Sequence, residues 1–185
     1  MRQFLFIQGG GSGAHDEWDD KLVASLRREL GPSYEVRYPR MPDEDDPSFA
    51  LWSAAIRSEI VALTPDAVLV GHSIGGSILM GALADQAPEQ DLAAIILISA
   101  PFVGEGGWPG DEFALRADLG ARLPRDVPVH VFHGLDDETA PAAHADLYAR
   151  AIRQAEIHRL PGRDHQLGND LSDVADVIRG LRDTR

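Results

Sequence analysis

The chain has 185 residues, 44% of them hydrophobic, so it is long enough for one domain with a real core. Its formal net charge of −13 argues against nucleic acid and anionic membrane surfaces as partners, since phosphate recognition depends on clustered lysine and arginine. Cysteine is absent, which excludes disulfide frameworks, thiolate metal sites and a cysteine nucleophile.

The N-terminal residues predict a strand rather than an export signal. The apolar run Phe4–Ile7 soon meets a stretch of glycines, and it is too short for the core of a signal peptide. No segment reaches the roughly 18 consecutive apolar residues of a membrane span. We therefore expect a cytoplasmic protein.

Short apolar runs alternate with amphipathic segments along the whole chain. The runs that predict strands are Phe4–Ile7, Tyr34–Tyr38, Ala67–Val70, Ala94–Ile98, Val129–Phe132 and Ile157–Leu160. The segments that predict helices are Asp16–Leu30, Pro47–Leu63, Gly75–Asp85, Pro141–Ile152 and Asp170–Leu181. Three of the strands are almost wholly apolar, as strands buried on both faces are. This alternation predicts an α/β fold with about six mostly parallel strands and helices on both faces.

No flexible linker divides the chain, so residues 1–185 are predicted to form a single domain. The least regular part is 102–125, which is rich in glycine, proline and charge. It is too short for a domain of its own. We interpret it as an elaborated loop or a small lid.

The sequence GHSIG at 71–75 matches the pattern G-x-S-x-G. The pattern alone is only moderately specific, but here a predicted strand enters it and a predicted helix leaves it. That context is typical of a nucleophile elbow, a sharp turn with Ser73 at its apex. We expect Gly71 and Gly75 to crowd together there, because only small residues fit on either side of the turn.

Ser73 needs a base to take its proton, and the base needs an acid to orient it. In this architecture the acid and the base follow the serine in that order, in loops after later strands. The loop after the last predicted strand contains His165, which is the candidate base. The loop after the fifth contains Asp136 and Asp137, and either can be the acid.

An oxyanion hole requires backbone N–H groups beside the nucleophile. One donor should be the N–H of Ile74, directly after Ser73. The second should come from the glycine-rich loop after the first strand, where Gly10 and Gly11 are the candidates.

Three segments, GHSIG, HGLDDETAP and GRDHQ, resemble motifs of the α/β-hydrolase superfamily, and the resemblance covers essentially the whole chain. In length and in having little or no cap, the chain is similar to small retinoblastoma-binding-protein-9-like serine hydrolases. Alignment with the family stretch H-G-x-x-D-x-x-V-P makes Asp137 the acid, with Ala140 in place of the usual valine. Gln8 stands where larger members often carry histidine.

The resemblance implies esterase, thioesterase or amidase chemistry on a small-molecule acyl substrate, with no cofactor. We expect cleavage of small carboxylic esters through an acyl-enzyme. Phe102 and Trp108, in the irregular stretch, are predicted to line the substrate pocket. His130 and His133 lie three apart on one strand and should face opposite sides, so no metal site is predicted.

Two other functions compete with hydrolysis. A catalytically silent partner-binding module could use the same fold, although such a module would not need serine, aspartate and histidine together. The loop Gly9–Ala14 also matches the dinucleotide-binding pattern G-x-G-x-x-G/A. However, residues 37–40 offer no acidic side chain for a ribose, which disfavours that function.

Overall fold

The computed structural model describes residues 1–181, so the last residues of the predicted 1–185 domain, 182–185, lie outside the described part. The strands are β1 (Arg2–Ile7), β2 (Tyr34–Arg37), β3 (Ala67–His72), β4 (Leu92–Ile98), β5 (Val129–Gly134) and β6 (Ala155–Leu160). They form one sheet in the order β2-β1-β3-β4-β5-β6. Every strand pair in this sheet is parallel, which confirms the predicted α/β class.

The helices follow the predicted alternation. They are α1 (Asp20–Leu30), α2 (Phe49–Val61), α3 (Ser73–Asp85), α4 (Leu119–Arg122), α5 (His144–Ala151) and α6 (Ser172–Gly180). A π-helical segment, Ala14–Asp19, leads into α1. No helix within residues 1–181 is long and apolar enough to cross a membrane.

Two hydrophobic cores cover the two faces of the sheet. Side chains alternate along β1, so that Leu5 and Ile7 enter one core while Phe4 and Phe6 enter the other. The first core includes side chains of α2, α3 and α5. The second is closed by α1 and α6. Helices therefore pack on both faces, as the continuous apolar strands predict.

Every strand except β2, which ends one residue earlier than predicted, extends beyond its apolar run. The strand β3 continues through Gly71 to His72, and β5 continues through His133 to Gly134. Apolar runs mark only the part of a strand that faces the cores, whereas the parallel hydrogen-bond ladder continues to the carboxyl edge. Those added residues are the ones that carry the chain into the candidate site.

The irregular stretch 102–125 connects β4 to β5 and contains the single-turn helix α4. Its apolar side chains Leu115, Leu119 and Leu123 are buried in the first core. The stretch therefore fills the place of a longer crossover helix.

The order of strands reverses between β1 and β3. From β1 the chain first crosses to β2 at one edge and then returns to β3 on the other side. Open parallel sheets bind ligands at the carboxyl ends of the strands beside such a reversal. The loop after β1 and the turn after β3 both lie there.

Candidate active site

Ser73 directly follows β3 and is the first residue of α3. Its φ of 50° lies in the left-handed region, which is unfavourable for a residue other than glycine. This is the sharp strand-to-helix turn that the sequence predicts.

Small residues are required around this turn, but not for the expected reason. A Cβ on Gly71 would lie 2.6 Å from the Cα of Gly76, and a Cβ on Gly75 would lie 1.9 Å from the carbonyl oxygen of Gln8. The closest neighbours of Gly71 and Gly75 are thus other parts of the backbone, not each other. The expectation that these two crowd together is wrong, because the helix packs Gly76 onto the strand and Gly75 onto the loop after β1.

The side chains of Ser73, His165 and Asp137 form one chain of contacts. The Oγ of Ser73 lies 3.0 Å from Nε2 of His165, and Nδ1 of His165 lies 2.8 Å from Oδ2 of Asp137. A carboxylate only accepts, so Nδ1 carries the proton and Nε2 is free to accept from the serine hydroxyl.

The carboxylate of Asp137 is fully buried and held by several donors. Its Oδ1 accepts from the backbone N–H groups of Thr139 at 2.8 Å and Ala140 at 2.9 Å. Its Oδ2 also lies 3.2 Å from Nε2 of His133. Burial alone would raise the pKa of Asp137, but the hydrogen bonds from His133, His165 and Ala140 hold it well below its ordinary value. The carboxylate is therefore ionised.

Asp136, the other candidate acid, is exposed. Its backbone N–H donates to the carbonyl of Arg163 at 3.0 Å. The structure thus brings Asp137, and not Asp136, to His165.

The loop after β1 presents three successive glycines to the site, and two of their N–H groups are already engaged. The N–H of Gly9 donates to Oδ2 of Asp19 at 2.7 Å, and that of Gly11 donates to the carbonyl of Glu44 at 2.6 Å. Within the described residues, no acceptor is recorded for the N–H of Gly10. A Cβ on Gly10 would lie 2.9 Å from Cγ2 of Ile74, which brings this glycine beside the start of α3.

A buried ion pair lies behind the serine. Nδ1 of His72 is 2.9 Å from Oδ2 of Asp19, and Nε2 of His72 is 3.1 Å from the carbonyl oxygen of His165. Both partners only accept hydrogen bonds, so His72 donates from both nitrogens and carries a positive charge. Burial alone would lower its pKa, but the Asp19 carboxylate and the His165 carbonyl raise it.

Asp19 links three loops through this pair. Besides His72, it accepts from the Gly9 N–H at 2.7 Å and from Nε2 of Gln166 at 3.3 Å. The loop after β1, the turn of Ser73 and the loop of His165 are therefore held together by one carboxylate.

A cavity of about 150 Å³ opens beside Ser73 and His165. Its apolar wall comes from Ala14 and Trp18, and Trp18 is 51% exposed. Among the described residues that line it, none belongs to 102–125. A lid over this cavity therefore has no support from that stretch.

Phe102 and Trp108 do not line this cavity. The ring of Phe102 is buried edge-on against Tyr148, and its backbone N–H donates to Nδ1 of His144. The Trp108 ring also packs edge-on against His144. Both predicted pocket residues instead pack the irregular stretch onto α5, since Tyr148 and His144 belong to that helix.

A family model described as serine hydrolase matches residues 6–169. The chain belongs to the serine hydrolase family. The pimeloyl-[acyl-carrier protein] methyl ester esterases of Xanthomonas campestris pv. campestris and Xanthomonas oryzae pv. oryzae are each 30% identical to this serine hydrolase over 137 residues, 72% of this chain and 54% of theirs. The chain thus spans about half, 54%, of the length of these curated relatives.

Solved structures agree with this fold. The ydeN gene product from B. subtilis matches with a TM-score of 0.78 at 21% identity, over 98% of this chain and 99% of that one. The esterase RhEst1 from Rhodococcus sp. ECU1013 matches with a TM-score of 0.74 at 16% identity, over 100% and 91%. The predicted α/β-hydrolase fold is confirmed, whereas membership of the retinoblastoma-binding-protein-9-like group stays a prediction.

Sequence reasoning missed three residues that surround the contact chain of Ser73, His165 and Asp137 in this serine hydrolase. Asp19 lies 53 positions from His72, and no local motif connects them. His133 contacts Asp137 from the end of β5, a position that the HGLDDETAP motif contains but does not explain. Trp18 lies within the helix predicted over Asp16–Leu30, but its apolar spacing indicates packing in the core and not a place in the wall of this cavity.

Proposed function

We propose that this serine hydrolase cleaves small carboxylic esters through an acyl-enzyme formed on Ser73. The observation that supports this is the continuous contact from the Ser73 hydroxyl through His165 to Asp137, at 3.0 and 2.8 Å. This geometry combines a nucleophile, a base in the required tautomer and an acid that orients the base.

In the proposed reaction, His165 accepts the hydroxyl proton at Nε2 as Ser73 Oγ attacks the acyl carbonyl. The resulting imidazolium is stabilised by the Asp137 carboxylate at Nδ1. His165 then gives this proton to the leaving alkoxide oxygen, and the alcohol departs. A water molecule, deprotonated by His165, attacks the acyl carbon. The bond between that carbon and Oγ of Ser73 then breaks, His165 returns the proton to Oγ, and the carboxylic acid departs.

The tetrahedral oxyanion requires donors that are already in place. We assign this role to the backbone N–H groups of Ile74 and Gly10. Ile74 lies in the first turn of α3, whose N–H groups have no partner within the helix. Gly10 is preferred over Gly11 because the Gly11 N–H already donates to Glu44.

The cavity supports a substrate that is small on at least one side of the ester. Its volume of about 150 Å³ holds a short alkyl group, and Trp18 and Ala14 offer an apolar wall. The curated relatives are methyl ester esterases, which agrees with a small leaving alcohol. Thioesters and amides react through the same triad, so they belong to the substrate screen.

The proposal requires no cofactor, because the triad supplies nucleophile, base and acid itself. The net charge of −13 is consistent with a small-molecule substrate rather than nucleic acid or a membrane surface. A cytoplasmic location stays a prediction of the sequence.

The first experiment is labelling with a fluorophosphonate probe, which reacts with activated serines. Wild type is compared with Ser73→Ala, and Ser12→Ala serves as the matched control because Ser12 is an exposed serine in the neighbouring glycine loop. We expect labelling of wild type and Ser12→Ala and none of Ser73→Ala. Hydrolysis of p-nitrophenyl acetate, butyrate and octanoate then tests the size of the acyl pocket.

An unlabelled wild-type protein that is folded by circular dichroism would contradict the proposal. The fold would then serve as the catalytically silent partner-binding module. Labelling that persists in Ser73→Ala would instead place the reactive serine elsewhere.

A further inference from the structure

Three potential metal ligands meet at the edge of the sheet, away from Ser73. His130 lies near the start of β5, while Glu156 and His158 lie two residues apart on β6. In the parallel register, His130 pairs with Glu156 and Phe132 pairs with His158. Residues two apart on a strand share a face, so all four side chains lie on one side of the sheet.

The ligand atoms are close enough to share one ion. Nδ1 of His130 lies 3.1 Å from Nε2 of His158. The Glu156 carboxylate lies 3.7 Å from Nδ1 of His130 and 3.8 Å from Nε2 of His158. Two ligands of a tetrahedral Zn²⁺ with bonds of about 2.0–2.1 Å lie about 3.3 Å apart. The histidine pair is near this spacing, and Glu156 needs to move only a few tenths of an ångström.

Both histidine rings are held in position before any ion binds. The His158 ring stacks on Phe132, with centroids 4.2 Å apart and planes at 9°. The His130 side chain is only 9% exposed. The Glu156 side chain, by contrast, is 68% exposed, so it is free to adjust. Two fixed nitrogens and one movable carboxylate reduce the ordering that binding requires.

The charges in the cluster also suit a cation. Burial lowers the pKa of both histidines, which favours the neutral imidazole that a metal requires. Glu156 and Asp173 of α6 act in the opposite direction on His158, because both are negative. A bound cation would face two carboxylates, and the proton shared by Nδ1 of His130 and Nε2 of His158 would move to the other nitrogen of its ring.

We propose that His130, His158 and Glu156 form a binding site for one divalent transition-metal ion, with Zn²⁺ as the reference ion. Two imidazoles and a carboxylate are the ligands that such borderline ions prefer, and water would complete the tetrahedron. Within residues 1–181, this is the one group of three His, Cys, Asp or Glu side chains whose ligand atoms all lie within 4.8 Å.

The sequence predicts no metal site, because it pairs His130 only with His133 on the same strand. The proposed site differs from that prediction. His158 comes from the neighbouring strand, and the parallel register that aligns it is not visible in the sequence. The ion would tie the edge strand β6 to β5, at the end of the sheet opposite to the loop that carries Asp137.

The test is a calorimetric titration of untagged, EDTA-treated protein with Zn²⁺, because a polyhistidine tag would bind the same ion. Wild type is compared with His158→Gln and Glu156→Gln, and His15→Gln is the control, since His15 is a histidine outside the cluster. We expect one ion per chain in wild type and in His15→Gln. The affinity should fall roughly tenfold or more in His158→Gln, and less in Glu156→Gln.

Thermal unfolding gives an independent measurement. With free Zn²⁺ about a hundredfold above the wild-type dissociation constant, Tm should rise by roughly 5–10 °C in wild type and by at most about half as much in His158→Gln. No binding by wild type would overturn the proposal, as would equal binding by His158→Gln. Labelling of Ser73 should be the same with and without Zn²⁺, so the two proposals fail separately.

Discussion

Replacing Asp19 by asparagine removes one negative charge behind the proposed triad while almost preserving the shape of the side chain. The asparagine oxygen, in the place of Oδ2, can still accept from the Gly9 N–H and from His72. Its NH₂ group would then face the amide of Gln166, whose oxygen has no partner within the described residues and could accept after rotating. The substitution therefore isolates the contribution of the charge.

The loss of unfolding free energy expected for Asp19→Asn has an upper and a lower limit. Two unit charges about 4 Å apart attract each other by about 4 kcal/mol at the effective dielectric constant of a protein. His72 can instead release its proton, but its Nε2 then no longer donates to the His165 carbonyl. A buried polar group left without its partner costs about 1–3 kcal/mol. We expect Asp19→Asn to lower the free energy of unfolding by between about 1 and 4 kcal/mol.

The stability difference between wild type and Asp19→Asn should also depend on pH. The Asp19 carboxylate raises the pKa of His72 in the folded protein. Because the pKa of His72 is higher in the folded than in the unfolded protein, protonated His72 stabilises the folded state. This stabilisation is complete below the unfolded-state pKa of about 6.5, and it is lost as the pH rises through the folded-state pKa. Asp19, whose own pKa is lowered, stays ionised throughout this range. The difference between wild type and Asp19→Asn should therefore be larger near pH 5.5 than near pH 8.5.

The assay is urea unfolding at both pH values, monitored by circular dichroism. Asp20→Asn is the matched control, because Asp20 is the exposed neighbour at the start of α1. It should lose no more than about 1 kcal/mol, the usual contribution of an acid to a helix dipole. The buried ion pair would be refuted if both variants lost the same free energy of unfolding. It would also be refuted if the loss in Asp19→Asn grew with pH.

Two further predictions concern the triad and its turn. Asp137→Asn should reduce kcat for ester hydrolysis by about 10⁴. Asp136→Asn should change kcat by no more than about twofold, since Asp136 is exposed. A larger loss of kcat in Asp136→Asn than in Asp137→Asn, measured with a p-nitrophenyl ester, would make Asp136 the acid. Gly75→Ala should destabilise the protein by about 3 kcal/mol or more, because its Cβ would lie 1.9 Å from a backbone carbonyl oxygen. Gly180→Ala, at the last residue of α6, meets nothing within 4 Å and should change stability by no more than about 0.5 kcal/mol. Thermal unfolding of both variants checks this pair, and a Gly75→Ala protein as stable as wild type would contradict the close approach.

Much of the fold could be predicted because each strand carries a distinct apolar run and each helix its own periodicity. The apolar runs within β3 and β4 predict burial on both faces, and burial on both faces implies a parallel sheet. What the sequence does not contain is strand order and register, since these depend on which long-range packing is most favourable. The cluster of His130 and His158 exists only through that register.

In the candidate site, too, some residues could be predicted from the sequence and others could not. Ser73, His165 and the alternatives Asp136 and Asp137 follow from local motifs and chain order, because each lies where a strand ends. Asp19 could not be predicted, since it is one of four acids in residues 16–20 and resembles any surface aspartate until the π-helical segment packs against the elbow. Burial then makes it the centre of a hydrogen-bond network.

The left-handed backbone of Ser73 has a consequence for attempts to engineer this protein. A residue other than glycine in that conformation stores about 1–3 kcal/mol of strain. Glycine at position 73 would relieve the strain and remove the proposed nucleophile in the same step. A variant library screened for heat resistance alone would therefore enrich inactive proteins at this position, so that stability and turnover must be selected together.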